Sequence, residues 1–138
     1  MTGADTVADC GRFAVLDGVT PLLRVCDVVV LVVGSGLRAV RAASRVAPLL
    51  HDELGAEPGD VRVTLLVVGP DEPYSSPEIA AGCGLSLLGE LPRDRRTADV
   101  WSDGTPPARG FDRSPLQRGA GRIATKLVRA GTAGSGAA

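Results

Sequence analysis

Two runs of consecutive aliphatic residues constrain the fold of this chain more than any other feature. Residues 28–33 read VVVLVV and residues 61–68 read VRVTLLVV. Continuous apolar runs of this kind are typical of strands that are covered on both faces, as in a parallel sheet. A shorter run covers residues 85–91 (LSLLGEL), and residues 6–9 (TVAD) are a candidate fourth strand.

Segments with helical period separate these runs. From Leu37 to Leu54 the apolar side chains recur along one stripe, while the arginines point elsewhere, and Gly55 follows as a signal for the helix end. Pro48 removes one backbone hydrogen bond from this helix, so we expect a kink or a break there.

Three further helices follow. The first has Ser76 as its N-cap, Pro77 at its first position, and Gly82 or Gly84 at its end. A short helix covers residues 97–101, and the last runs from its cap at Ser114 to about residue 130. The chain therefore predicts an α/β fold: a mainly parallel sheet of three or four strands with crossover helices, forming one domain over residues 1–130. Residues 131–138 (GTAGSGAA) are expected to be disordered.

Composition excludes several classes of site. The three cysteines, Cys10, Cys26 and Cys83, lack C-x-x-C spacing, and the single histidine, His51, has no second histidine as a partner, so a zinc site is not expected and His51 is expected to be solvated. Neither a membrane-spanning run nor a secretory signal is recognisable, which favours a cytoplasmic protein without an integral membrane segment.

One glycine-rich turn fits a cofactor motif in part. Residues 34–39 (GSGLRA) follow a strand and open a helix, as a dinucleotide fingerprint requires. The acidic residue that binds the ribose should lie roughly twenty residues later. The next strand instead ends near Val68, and Asp71 and Glu72 come too late. A tight turn and a small dinucleotide-binding, oxidoreductase-type module remain alternatives.

A second candidate is residues 9–12 (DCGR), an acid followed by a glycine at the end of the candidate first strand. Asp9 could hold Mg²⁺ directly or through water, and Gly11 lets the backbone approach a phosphate. A turn aspartate is the alternative explanation.

The order of these segments gives the chain its resemblance to a known family. The succession VADCGR, CDVVVLVV, LRAVRAA, VTLLVVG, EIAAGCGL, LLGELPRD and RSPLQRGAGRIATKL resembles the C-terminal half of actinobacterial MinD/ParA-type ATPases, the deviant-Walker P-loop class that includes chromosome-partitioning proteins. The resemblance extends over about residues 5–130 and implies the back half of a P-loop NTPase domain.

This resemblance implies roles for particular residues. Asp9 would organise Mg²⁺ and the attacking water if a P-loop is supplied in trans, and Gly11 would be the switch glycine. Gly69 and Pro70 would stand near the adenine, at positions where the family often has an asparagine and a basic residue. The loop that closes over the base would be formed by Pro92, Arg93 and Asp94.

The family's P-loop, which is rich in glycine and carries two lysines, has no counterpart here, since the only lysine is Lys126. Binding and cleavage of ATP depend on backbone amides and lysine around the phosphates. We therefore expect a partial or degenerate ATPase domain that does not hydrolyse ATP alone and acts through a partner protein or self-association, or else a truncated form of an active partitioning ATPase. ATP and Mg²⁺ are implied as cofactors by the resemblance alone.

The last predicted helix carries a basic stripe. Its cations recur at spacings of four, four and three: Arg118, Arg122, Lys126 and Arg129. A solvated face on a packed surface helix is one explanation, and non-specific DNA binding is the functional alternative. A membrane tether is less favoured, because the apolar side of this helix lacks large side chains.

Overall fold

The computed structural model describes residues 5–12, 21–55, 62–70 and 73–134, with side chains as far as residue 130. Segment 5–12 forms neither helix nor strand. The elements, in chain order, are α1 (Pro21–Val25), β1 (Val29–Gly34), α2 (Leu37–Leu54), β2 (Val63–Val68), α3 (Ser76–Cys83), β3 (Ser86–Leu91), α4 (Arg95–Ser102), a 3₁₀ turn (Phe111–Arg113) and α5 (Pro115–Gly134).

The three strands form one parallel sheet in the order β1-β2-β3, which confirms the predicted α/β class. Val29 pairs with Val63 at the start of the first ladder. In the second ladder Leu65 pairs with Leu87 but Leu66 pairs with Gly89, so Leu88 is an extra residue in β3. The candidate strand at residues 6–9 was wrong: these residues are exposed and pair with no described strand.

The first face of the sheet carries the main core. Val33, Val63, Leu65 and other alternate residues of β1 and β2 pack with buried side chains of α2 and α3. Leu50 of α2 and Ile79 of α3 are 2% and 1% exposed, respectively. Both helices follow from their apolar stripes, and burial of these side chains stabilises the crossovers against the sheet.

The second face is covered unevenly. Helix α5 packs on β3, where Ile123 lies so close to Gly89 that a Cβ on this glycine would be 2.6 Å from its Cδ1 atom. Leu66 is 8% exposed on this side, whereas Val32 of β1 is 59% exposed. The part of the second face that belongs to β1 is therefore open among the described residues.

The helix boundaries agree closely with the sequence, with informative differences. Helix α2 has the predicted bounds and ends at Gly55 in the left-handed conformation, but it runs through Pro48 without a break. The N-cap of α3 is Ser75 and not Ser76. Ser114 caps α5 by accepting a hydrogen bond from Gln117 N–H at 3.2 Å.

Two further expectations need correction. Helix α5 extends to Gly134, so residues 131–134, expected in the tail, are helical, while residues 135–138 lie outside the described ranges. His51 is half-buried rather than fully solvated, and its Nε2 atom is buried without a hydrogen-bond partner among the described residues.

Candidate functional site

The carboxyl ends of the three strands meet at one edge of the sheet, where ligands commonly bind in open parallel sheets. Ser35 follows β1 and donates its hydroxyl hydrogen bond to the carbonyl of Gly69, which follows β2. Gly69 N–H in turn donates to the carbonyl of Leu91 at 2.8 Å, at the end of β3. Hydrogen bonds therefore tie the three strand ends together at this edge.

Arg93 is the cation of this edge. A Cβ atom on Gly69 would lie 3.1 Å from Arg93 Nε and 3.2 Å from Arg93 Cβ, and one on Gly34 would lie 3.6 Å from a guanidinium nitrogen. The Arg93 side chain thus crosses the two glycines, while remaining exposed. The predicted residues Gly69 and Arg93 are in contact, and Pro70 and Pro92 are their chain neighbours.

Asp94 has a local structural role. Its carboxylate accepts the Thr97 N–H at 3.1 Å and the Thr97 hydroxyl at 2.7 Å, which caps α4. The hydrogen bond from the Thr97 side chain, followed by that from its backbone, holds the pKa of Asp94 below its ordinary value. A base contact by this carboxylate would have to compete with the cap, and the role implied by the resemblance stays a prediction.

Asp9 and Gly11 lie in the exposed segment 5–12. Gly11 N–H donates to Asp9 Oδ1 at 2.8 Å, the hydrogen bond of an Asx turn. The described residues contain no cluster of three potential metal ligands. The roles of Asp9 at magnesium and of Gly11 as a switch glycine stay predictions.

The turn between β1 and α2 has the geometry expected of a strand-turn-helix unit. Gly36 is the N-cap in an extended conformation, and no side chain caps the first N–H groups of α2. No acidic residue stands in the first turn. The dinucleotide alternative is neither strengthened nor removed by this turn, since Asp71 and Glu72 lie outside the described residues.

The basic stripe of α5 is placed on the exposed side of a helix that packs against β3. Lys126 Nζ donates to the carbonyl of Leu88 at 2.7 Å, and Arg129 is also engaged in an interaction. Arg118 and Arg122 are exposed. Lys126 therefore has a partner among the described residues, and Arg129 is not free of interactions.

Sequence reasoning missed a second basic surface on α2. Arg38, Arg41 and Arg45 lie together with Leu37 and Ala42 on the exposed side of the helix. The spacing of the arginines was visible in the sequence, as was the absence of an acidic residue from residues 37–51. These two signals together could have identified the surface.

Comparison with known proteins bears on the fold. No protein-family model matches the chain, and no curated protein matches it. A solved structure, that of a ParA family ATPase from Chlorobium tepidum TLS, superposes with a TM-score of 0.53 at 16% sequence identity. The chain has a ParA-like fold. The match covers 77% of this chain and 43% of the ParA chain, so the chain spans less than half the length of that structure.

At this identity the ParA structure supports the α/β architecture and carries no residue roles to this chain. Within the described ranges, no helix combines the length and apolar character that a bilayer crossing requires.

Proposed function

We propose that this chain is a ParA-like partial ATPase module that acts by associating with another polypeptide along β1, and that it does not hydrolyse ATP alone. The observation that carries this proposal is the difference between the two edges of the sheet. Edge strands with free N–H and carbonyl groups pair with other chains unless charges, bulges or covering elements prevent it.

The β3 edge has several of these protections. It contains the extra residue Leu88, and Lys126 Nζ is bonded to the carbonyl of that residue. Glu90 adds an exposed charge. A second chain would have to displace the lysine and accommodate an irregular ladder, so pairing along β3 is disfavoured.

The β1 edge has none of these protections among the described residues. Its sequence, VVLVVG, has high strand propensity and contains no charge and no proline. Val32 exposes 59% of its surface on the face that α5 leaves open. An incoming strand would gain backbone hydrogen bonds and cover this valine, which gives association both a direction and a driving force.

The proposal leaves ATP chemistry to a partner. The sheet edge presents Arg93 as its cation, and the only lysine of the 138 residues, Lys126, is engaged on α5. Phosphoryl transfer relies on several positive groups and backbone amides around the β- and γ-phosphates. If a partner supplies these groups, Asp9 is the residue that would hold the magnesium ion.

The experiment is sedimentation velocity of the purified chain at several concentrations up to the high micromolar range. We expect self-association when no other partner is present, and we expect Val32→Lys to shift the chain toward monomer, because a charge on the edge strand disfavours pairing with another strand. Leu87→Lys, on the protected strand β3, is the control and should associate like the unmodified chain. An unmodified chain that stays monomeric at the highest concentration refutes the proposal. A Val32→Lys variant that associates as strongly as the unmodified chain also refutes it.

A further inference from the structure

Residues 101–110, from the end of α4 to the 3₁₀ turn, are held in place although every one of them is exposed. Thr105 N–H donates to the carbonyl of Asp99 at 3.3 Å, and Phe111 N–H donates to that of Ala108 at 3.1 Å. Ordering a backbone costs conformational entropy, and in this segment burial of side chains does not offset that cost. The segment thus presents a fixed and uncovered surface.

An exposed aromatic pair stands at the start of this surface. Trp101 is 71% exposed. Its ring centroid lies 5.9 Å from that of Phe111, with an angle of 44° between the ring planes, which is a favourable aromatic arrangement. Tryptophan and arginine are enriched among the residues that dominate the affinity of protein interfaces. Trp101 is therefore suited to anchor a partner.

An open cleft of about 190 Å³ lies next to this pair, between α4 and the residues that precede α5. Its apolar walls are Val100, Ala108 and Phe111, and its guanidinium groups belong to Arg96 and Arg109. Sites for drug-sized ligands have volumes of about 300–1,000 Å³. This cleft is smaller, so it suits a single large side chain and not a whole cofactor.

The charged side chains that line the cleft are two cations and one anion. The anion, Asp94, already accepts two hydrogen bonds from Thr97, at 2.7 and 3.1 Å. Arg96 and Arg109 are exposed, and neither forms an ion pair with a residue of the described ranges. The lining therefore favours a ligand that combines an apolar group with negative charge.

We propose that this cleft binds an acidic peptide segment of a partner protein. One aromatic or large aliphatic side chain of the peptide would occupy the cleft beside Phe111, and neighbouring carboxylates would bind Arg96 and Arg109. A basic partner would face two cations, and an uncharged one would leave both guanidinium groups without a carboxylate. The proposal is independent of pairing along β1, because residues 94–114 form the cleft.

The test uses the fluorescence of Trp101, which is the only tryptophan of the chain. The probe is an acetylated heptapeptide with one phenylalanine between two runs of three glutamates. Its binding should shift the Trp101 emission to shorter wavelength and protect the indole from acrylamide, saturably and less so at high salt. Peptides with lysine in place of glutamate, or alanine in place of phenylalanine, should bind at least about tenfold more weakly.

Variants of the chain separate the site from the rest of the fold. Changing Arg96 and Arg109 together to Gln should weaken binding of the glutamate peptide about tenfold. The control changes Arg38 and Arg41 to Gln, which removes two exposed cations of α2, and should bind like the unmodified chain. Changing Arg96 and Arg109 to Glu should reverse the preference toward the lysine peptide, a gain that loss of folding cannot produce. Val32→Lys should leave peptide binding unchanged.

Several results would overturn the proposal. The first is an emission of Trp101 that does not change at millimolar glutamate peptide. Equal binding of the lysine peptide, or unchanged affinity of the double Gln variant, is the second. An emission that depends on the concentration of the Val32→Lys chain alone would show that a second copy covers the cleft. Displacement of the peptide by Mg·ATP would assign the cleft to a nucleotide instead.

Discussion

Replacing Gly69 by alanine tests the position of Arg93 at the sheet edge. Gly69 and Gly84 provide a matched pair, because both have a φ of +64°. A Cβ on Gly84 meets no atom within 4 Å, whereas one on Gly69 meets Arg93. The two alanine variants therefore share the conformational penalty and differ in the steric contact.

The shared penalty comes from the left-handed conformation, which costs an L-residue about 1–2 kcal/mol. The effect of alanine on the unfolded chain is also common to both variants and cancels in the comparison. At Gly69 the new methyl group would be 3.1 Å from Arg93 Nε and 3.2 Å from Arg93 Cβ. The Nε atom can move with its flexible side chain, but the Cβ atom is fixed to the backbone after β3, so the strand end must shift.

Overpacking of this kind costs about 1–3 kcal/mol. We therefore expect Gly69→Ala to lower the free energy of unfolding by about 1–3 kcal/mol more than Gly84→Ala, measured by urea unfolding with m-values unchanged. In a background with Arg93→Gly, which removes both contacting atoms, Gly69→Ala should cost no more than Gly84→Ala does. Equal losses in the original background would refute the placement of Arg93 over Gly69.

Two further predictions concern protonation and nucleotide. Hydrogen bonds from the Ser75 hydroxyl and backbone N–H hold the pKa of Glu78 below its ordinary value. These bonds therefore stabilise the folded chain fully at a pH above the ordinary pKa, and their contribution is lost as the pH falls through the lowered pKa. In Glu78→Gln the free energy of unfolding, measured with urea, should therefore fall less steeply at acidic pH than in the unmodified chain. The same pH dependence in both proteins would contradict the capping interaction. In calorimetry the isolated chain should not bind Mg·ATP tightly; a dissociation constant near 1 μM, about −8 kcal/mol, would contradict the proposed dependence on a partner.

The sheet was predictable because its signal is local and repeated. The runs at residues 28–33 and 61–68 are too apolar for a strand with a solvated face, and the helical segments between them require parallel pairing. The candidate strand at residues 6–9 has residues with strand propensity, but no described strand pairs with it. A strand needs a neighbour to bind its backbone groups, and no described strand provides one.

The helix details show where local signals are ambiguous. Ser75 and Ser76 both precede Pro77, and the choice between them depends on Glu78, which bonds to Ser75. Helix α2 continues through Pro48, and the carbonyl that loses its partner belongs to Ser44, which is exposed, so water can bind it. The break expected from proline alone assumes that no such compensation exists, whereas the alternative expectation of a kink stays a prediction.

The candidate site was predictable in its placement and not in its contacts. Residues after parallel strands share one edge, so Gly69, Pro70, Pro92 and Arg93 could be grouped from the sequence. The path of Arg93 across Gly69 and Gly34 depends on how far β3 extends beside β2. The bond from Lys126 to Leu88 depends on the irregular ladder at that residue, for which the sequence carries no clear signal.

Charge totals along the chain locate a basic segment but do not identify a binding surface. Residues 1–92 carry twelve acidic and six basic side chains, and residues 93–138 carry four and nine, which directs attention to α5. A phosphate backbone interacts with individual exposed cations and not with the total of a segment. On α5 the Lys126 Nζ atom donates to the carbonyl of Leu88, whereas Arg118 and Arg122 are exposed. The exposure and the partners of each cation, which only the fold reveals, therefore decide which cations of a basic segment a phosphate backbone could reach.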